Sequence, residues 1–378
     1  MDMRLSWGRS VIRGGLLASL VLASLVLGTP MALLADTDAE KLGVLRTIRP
    51  NNESDVKTAA SVVKQLSESS DIGLIDVLKS MKGATLLGKN WLLGLANSLH
   101  RKSPESANDA LRAFLMDASQ DPEARYTVFR WLTDNDAELK AKMLDGMLQD
   151  SSPELRFEAV AKVLNSSESL ETGVLQSLLE ASRHPEQIVA IIRRLGKQGV
   201  TVNQSKHFGF LDTWKLIGPF DNVGSKSFDK EYAVELDYAA GKSLAGSYDG
   251  KSGAVQWVTE TTADPEGIVD LAKVFNNEKG CIVYGLATVE LPADLDCEIR
   301  VGCINAQKVW VNGKLVIANE VYHTGMQIDQ YVAPIKLRAG KNQILVKVCQ
   351  NEQKEAWAQR YVFQARLCDS TGKAISTK

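Results

Sequence analysis

Seven side chains beside turn-rich segments are of the types that meet a polyhydroxylated ligand: Asp221 and Asn222 after Pro219, Trp257, Asp264, His323, Gln327 and Asp329. An aromatic ring offers a flat face to sugar C–H groups, and carboxylates and carboxamides pair with hydroxyls. Each has a competing duty. Asp221 and Asn222 suit a turn held by side-chain hydrogen bonds, and Trp257 could equally fill a core. Trp214 and Trp310 lie inside strand-like runs and are expected in the core.

Reactive constellations are missing from the sequence. It holds neither a Gly-x-Ser-x-Gly elbow nor a His-Glu-x-x-His zinc helix. Gly246–Ser252, reading GSYDGKS, is one residue short of a phosphate loop and is read as a flexible Gly/Ser loop, so no nucleotide is assigned. Ser61-x-x-Lys64 lacks the companion motifs of a β-lactamase and sits on a helical surface. The histidines His100, His184, His207 and His323 show no ligand spacing, and Asp134-Asn135-Asp136 suits a helix N-cap better than a calcium loop. No catalytic residue, metal set or cofactor is therefore assigned.

The chain has 378 residues, enough for two domains. Its 44 Lys and Arg against 46 Asp and Glu leave a net charge of -2, which excludes the basic face that nucleic acid needs. Arg4, Arg9 and Arg13 precede an uncharged run from Gly14 to Ala35. With Gly28 and Pro30 breaking the run late, residues 1–35 read as a secretory signal peptide, and membrane attachment follows only if that segment stays uncleaved. The expected location is periplasmic or secreted. Cys281, Cys297, Cys303, Cys349 and Cys368 all fall in the last third. Cys297 and Cys303 point to one face of a strand about 20 Å apart, too far for a bridge to each other; export permits disulfides among the five, an odd number that leaves at least one unpaired, and buried thiols are the favoured reading.

Two periodicities organise the remainder. From residue 36 to 199 apolar residues recur at helical spacing, as in Val56, Ala59, Ala60, Val63 and Leu66. Pro122, Pro153 and Pro185 each precede Glu and a helical pattern, 31 and 32 residues apart, the length of one helical-repeat unit. KQGVTVNQSK, 197–206, reads as a short linker. From residue 200 to 378 short β-branched runs alternate with turns, and Asn312-Gly313 predicts a two-residue hairpin.

Here a resemblance emerges. VWVNGKLV followed by LRAGKNQILVKV resembles the sugar-binding jelly roll of β-galactosidases, and SPELRFEAVAKVL, 152–164, resembles part of a HEAT-type repeat. With WKLIGPFDN, YHTGMQIDQY and CQNEQKEAWAQRYVFQARLCD, the whole is similar to exported bacterial proteins that join HEAT-like helices to a galactose-binding-like sandwich. The resemblance implies a HEAT-like α-solenoid over 36–199 and an antiparallel β-sandwich, a jelly roll, over 200–378. It also implies that a ligand, where present, meets loops at one end of the sandwich. The expected role is a non-catalytic binding or scaffold protein whose partner is a glycan or an envelope protein. Its rivals are an enzyme or enzyme subunit acting on envelope polysaccharide, and a structural envelope component. Two carboxylates flanking a sugar site have no residue-level support, and a catalytic barrel of about 250 residues has no room.

Overall fold

A computed structural model describes residues 37–49, 53–102 and 108–375. The proposed signal peptide lies outside the described residues. The chain is mixed α and β, and it divides into two compact units, Met1–Ala107 and Asn108–Lys378.

The first unit is helical: α1 Asp38–Thr47, α2 Glu53–Glu68, α3 Leu74–Ser80 and α4 Leu86–Lys102. Thr37 and Glu40 form a reciprocal capping box at the start of α1, satisfying two backbone donors that the helix cannot. Gly88 sits where an added Cβ would lie 2.5 Å from the Leu45 carbonyl, so its missing side chain lets α4 approach the end of α1. On α2 the buried stripe is Ala59, Val62 and Leu66, while Val56 is 41% exposed. The expected stripe through Val56, Ala60 and Val63 is thus rotated, because two neighbouring valines leave the phase of the pattern open.

In the second unit α5 Asn108–Met116, α6 Pro122–Thr133, α7 Ala137–Met143, α8 Pro153–Leu164, α9 Thr172–Ala181 and α10 Pro185–Lys197 follow in series. The three periodic prolines open α6, α8 and α10, where a missing N–H removes no helical bond. Asp136 caps α7 through the Leu139 N–H at 2.8 Å, as its sequence position suggests.

Buried polar side chains near the starts of these helices tie one to the next. Arg125 donates to the Leu115 carbonyl at 2.8 Å and clamps the Asp150 carboxylate at 2.7 and 2.8 Å. Arg156 reaches the carbonyls of Asp150 and Ala181, and Gln187 reaches that of Phe157. Between them, Leu164, Leu175, Leu178, Ile188, Ile191 and Leu195 build one apolar cluster that also takes Phe208 and Phe210. The expected linker holds a short helix instead, α11 Gln204–Phe208, because Asn203 caps it at 2.8 Å and Phe208 anchors it in that cluster.

The strands are β1 Thr213–Asp221, β2 Tyr248–Gly250, β3 Gly253–Val255, β4 Val258–Thr261, β5 Val269–Asp270, β6 Cys281–Leu291, β7 Leu295–Cys303, β8 Ala306–Val311, β9 Lys314–Asn319, β10 Tyr331–Leu337, β11 Gly340–Gln350 and β12 Val362–Cys368. Two antiparallel sheets, ordered β4-β1-β6-β11-β8-β9 and β10-β7-β12-β5, contribute to one core that includes Trp214, Val283, Ile299, Val301, Val346 and Phe363. Asn312 and Gly313 turn β8 into β9 at φ 49° and 84°, the left-handed pair that a two-residue hairpin demands. GSYDGKS carries β2 and the turn that leads into β3 rather than a free loop, tied back by the Lys251 N–H to the Pro219 carbonyl at 2.8 Å.

A segment with two short helices, α12 Ala233–Ala239 and, further on, α13 Leu271–Val274, connects the strands. Phe228, Val234 and Tyr238 cover the outer face of the larger sheet against Ile217, Phe220, Tyr284 and Leu345. Beneath them Lys347 is fully buried, and its ammonium donates to Glu235 at 2.8 Å and to the carbonyls of Phe228 and Lys230. Tyr284 donates to the same carboxylate. A cation so enclosed requires this full set of acceptors.

Arg366 on β12 is 1% exposed. It clamps Asp329 through two contacts of 2.6 Å, donates to the carbonyls of Phe208 and Gly372 at 3.0 and 3.1 Å, and stacks over the Phe208 ring. Arg300 adds a 2.8 Å bond to Asp329 and two to Glu298. Burial opposes the charge on Asp329, yet the bonds from Arg366 and Arg300 outweigh it and hold the carboxyl below its ordinary range.

All five cysteines are buried and unbridged. Burial raises Cys281, Cys303 and Cys349 to about 12 and Cys297 and Cys368 to about 11. Among the described residues no helix is long and apolar enough to cross a membrane.

Two outcomes follow from this packing. A thiolate-directed reagent at neutral pH leaves the native chain unlabelled and modifies all five thiols after unfolding in guanidinium. Asp329→Asn strands the buried Arg366 charge and lowers unfolding free energy by about 3–5 kcal/mol in denaturant titrations. Because the folded carboxyl is the stronger acid, the wild-type contribution is present above about pH 4 and is lost as pH falls below it.

Candidate functional site

The loop end of the two sheets gathers the termini of β1, β6, β8 and β11 with the segments 320–330 and 351–361. Asn222 is its pivot. It is fully buried, donates to the Gln350 carbonyl at 3.0 Å and the Tyr322 hydroxyl at 3.2 Å, and accepts from the Ser227 N–H at 3.1 Å. Its own N–H donates to Gly280 at 2.9 Å. Every polar group of the residue is occupied, so Asn222 positions the end and does not offer itself to a ligand. Asp221 closes β1 half-buried, and its carbonyl accepts the Tyr232 hydroxyl.

Tyr322 leads into His323, which takes the left-handed conformation at φ 57°. The His323 Nε2 lies 2.8 Å from the Asn351 Oδ1, so that nitrogen donates, while Nδ1 is buried without a partner. The imidazole stands edge-on to the Trp357 ring at 5.1 Å and 89°. Trp357 is 60% exposed and is the one aromatic among the exposed large apolar side chains of the described residues. Val321 and Val223 are exposed in the neighbouring loops. Glu352 is held by the Gly224 N–H, and Asn351 donates to Gln353 at 2.9 Å. Trp357 thus leans on an imidazole that is itself braced by the Asn351 carboxamide.

The other expected ligand residues lie apart from this surface. Trp257 is half-buried against the outer-face cluster under α12. Asp264 forms a turn with the N–H groups of Glu266 and Gly267 and borders a groove of about 1080 Å³ beside α11, Thr213 and Thr288. Gln327 and Asp329 border a second groove, of about 810 Å³, beside α10. Asp329 is engaged by its two arginines there. Trp214 is core, whereas Trp310 is half-buried under the outer cluster.

Trp357, Tyr322 and Asn351 fall outside the expected set. Trp357 sits in NEQKEAWAQR, a polar run without strand alternation, and an aromatic in such a run is the one available signal of an exposed ring. Among the described residues no group of three or more His, Cys, Asp or Glu is arranged to hold a metal ion.

Replacing Asn222 by Ala leaves the Ser227 N–H and the Gln350 carbonyl buried without partners. Denaturant unfolding then shows a loss of about 2–4 kcal/mol, with the fluorescence of the loop-end tryptophan altered in the native baseline.

No family model and no curated protein matches the chain. Among solved structures, similarity is found to a β-glucuronidase from an uncultured Clostridium sp., at 14% identity over 43% of this chain and 29% of that one, with a TM-score of 0.25. A family 35 carbohydrate binding module from Clostridium thermocellum aligns at 16% identity over 24% of this chain and 73% of that one, TM-score 0.16. A β-glucosidase from Kluyveromyces marxianus aligns at 10% identity over 84% and 38%, TM-score 0.26. The chain spans less than a third of the length of the glucuronidase. These neighbours are glycoside hydrolases and a carbohydrate-binding module, and at such TM-scores their folds and activities do not transfer to this chain.

Proposed function

We propose that the chain is an exported, non-catalytic carbohydrate-binding protein whose loop end is its glycan contact. In this reading residues 1–35 are the signal peptide, 36–199 a HEAT-like solenoid for protein contacts and 200–378 a jelly roll, located in the periplasm or secreted. The observation that carries the binding role is Trp357, an exposed indole braced edge-on by His323, which is held in turn by Asn351. An exposed aromatic ring beside loops that also expose Val223 and Val321 offers apolar area for a ligand to cover, and a rigid ring loses little entropy on binding. Sugar C–H faces are its natural complement.

The test is a calorimetric titration of the full chain against a panel of envelope and algal glycans. A glycan bound by wild type is bound roughly tenfold or more weakly by Trp357→Ala, whose melting temperature is unchanged because the ring is exposed. Equal affinity in the variant overturns the reading, as does glycan turnover abolished by removing a loop-end carboxylate.

A further inference from the structure

The groove beside α11 opens onto a strand that is paired on one side only. β6 runs from Cys281 to Leu291 and pairs with β11 along its whole length, but its ladder with β1 ends at Lys215 and Leu286. From Ala287 to Leu291 the edge toward β1 has no partner strand, and no backbone group there bonds to anything outside the β11 ladder. The groove, of about 1080 Å³, lies at this gap: Ala287, Thr288 and Val289 line it together with Leu211, Asp212 and Thr213, the residues at and before the start of β1.

The gap has its cause in the chain that enters β1. Leu211 gives its N–H to the Ala365 carbonyl on the smaller sheet at 2.9 Å, and Phe210 bridges to Arg366. The indole N–H of Trp214 holds the Leu211 carbonyl at 2.8 Å. The chain therefore reaches β1 from the smaller sheet and leaves the end of β6 unpaired. An edge of free N–H and C=O groups is completed by another extended backbone.

The sheet also sets which side chains such a segment needs. Ala287, Val289 and Leu291 belong to the shared core, whereas Thr288 and Glu290 are exposed. A strand added beside them keeps that alternation, so every second residue turns toward the apolar lining of Phe210, Leu211 and Ile375 and the others toward solvent. Asp212 and Glu290 are exposed there and, with Asp264, form no ion pair among the described residues. Lys206 is the one cation among the groove's lining residues. The surplus of carboxylates favours basic side chains on the solvent side of the added strand.

We propose that the open edge of β6 captures an extended segment of a partner protein as an added strand, one whose residues alternate between apolar and basic. The site lies at the far end of β6 from the Trp357 surface and does not rest on the glycan reading.

The experiment titrates the full chain with an end-blocked peptide of alternating lysine and valine, long enough to span Ala287–Leu291, and follows amide hydrogen exchange residue by residue. Binding slows exchange within Ala287–Leu291 and leaves β4 and β9, the terminal strands of the same sheet, unchanged. The same peptide N-methylated at every residue keeps its side chains but has no backbone donor, and it binds at least about tenfold more weakly. The double variant Asp212→Lys with Glu290→Lys changes only exposed side chains; it weakens the lysine peptide about tenfold and prefers a glutamate–valine counterpart. No binding of the lysine–valine peptide, binding undiminished by N-methylation, protection at β4 or β9 in place of β6, or equal affinity in the double variant overturns the proposal.

Discussion

One buried guanidinium constrains much of the second unit. Arg366 lies on a strand of the smaller sheet, yet four hydrogen bonds from its guanidinium reach a loop carboxylate, the last carbonyl of a short helix and a carbonyl of the C-terminal turn. A charge at 1% exposure is tolerated only when nearly all of its donors are matched. Asp329 must therefore turn inward at positive φ, and Phe208 must end its helix under the guanidinium plane. The pairing places the helical series against the sheet and, with Arg300, shapes one wall of the groove beside α10.

Lys347 and Glu235 repeat the same logic on the larger sheet. That sheet is covered on both faces, by the shared core on one side and by the α12 segment on the other. Its central strands accordingly read as almost continuous apolar runs, and Lys347 interrupts one of them. The lysine fixes where the covering segment lies, since three acceptors from that segment converge on one ammonium. With both faces closed, the loops at the ends are where the fold leaves side chains free, and Trp357 occupies one of them.

Much of this was legible from local chemistry. Proline at the first helical position, Asp136 as a cap and Asn312-Gly313 as a turn each follow from one or two residues whose backbone preferences are strong. The phase of α2 was not legible, because adjacent valines satisfy two helical faces equally and packing chooses between them. The same holds for function-bearing side chains. Asn222 and Asp329 have the right chemistry for a ligand, but the structure surrounds each with internal partners. Trp357 carried no periodic signal, and its exposure arises from a loop crossing the end of the sheets.

Residue order was enough to set the change from helical to strand periodicity near residue 200, the caps and turns that punctuate each half, and a near-neutral net charge. These are short-range or summed properties, set by residues within a few positions of one another or by composition. Which polar groups are used up and which remain free was settled only by long-range packing. That depends on partners more than a hundred residues away, such as Phe208 for Arg366 and Glu235 for Lys347, brought together only when apolar faces close over them.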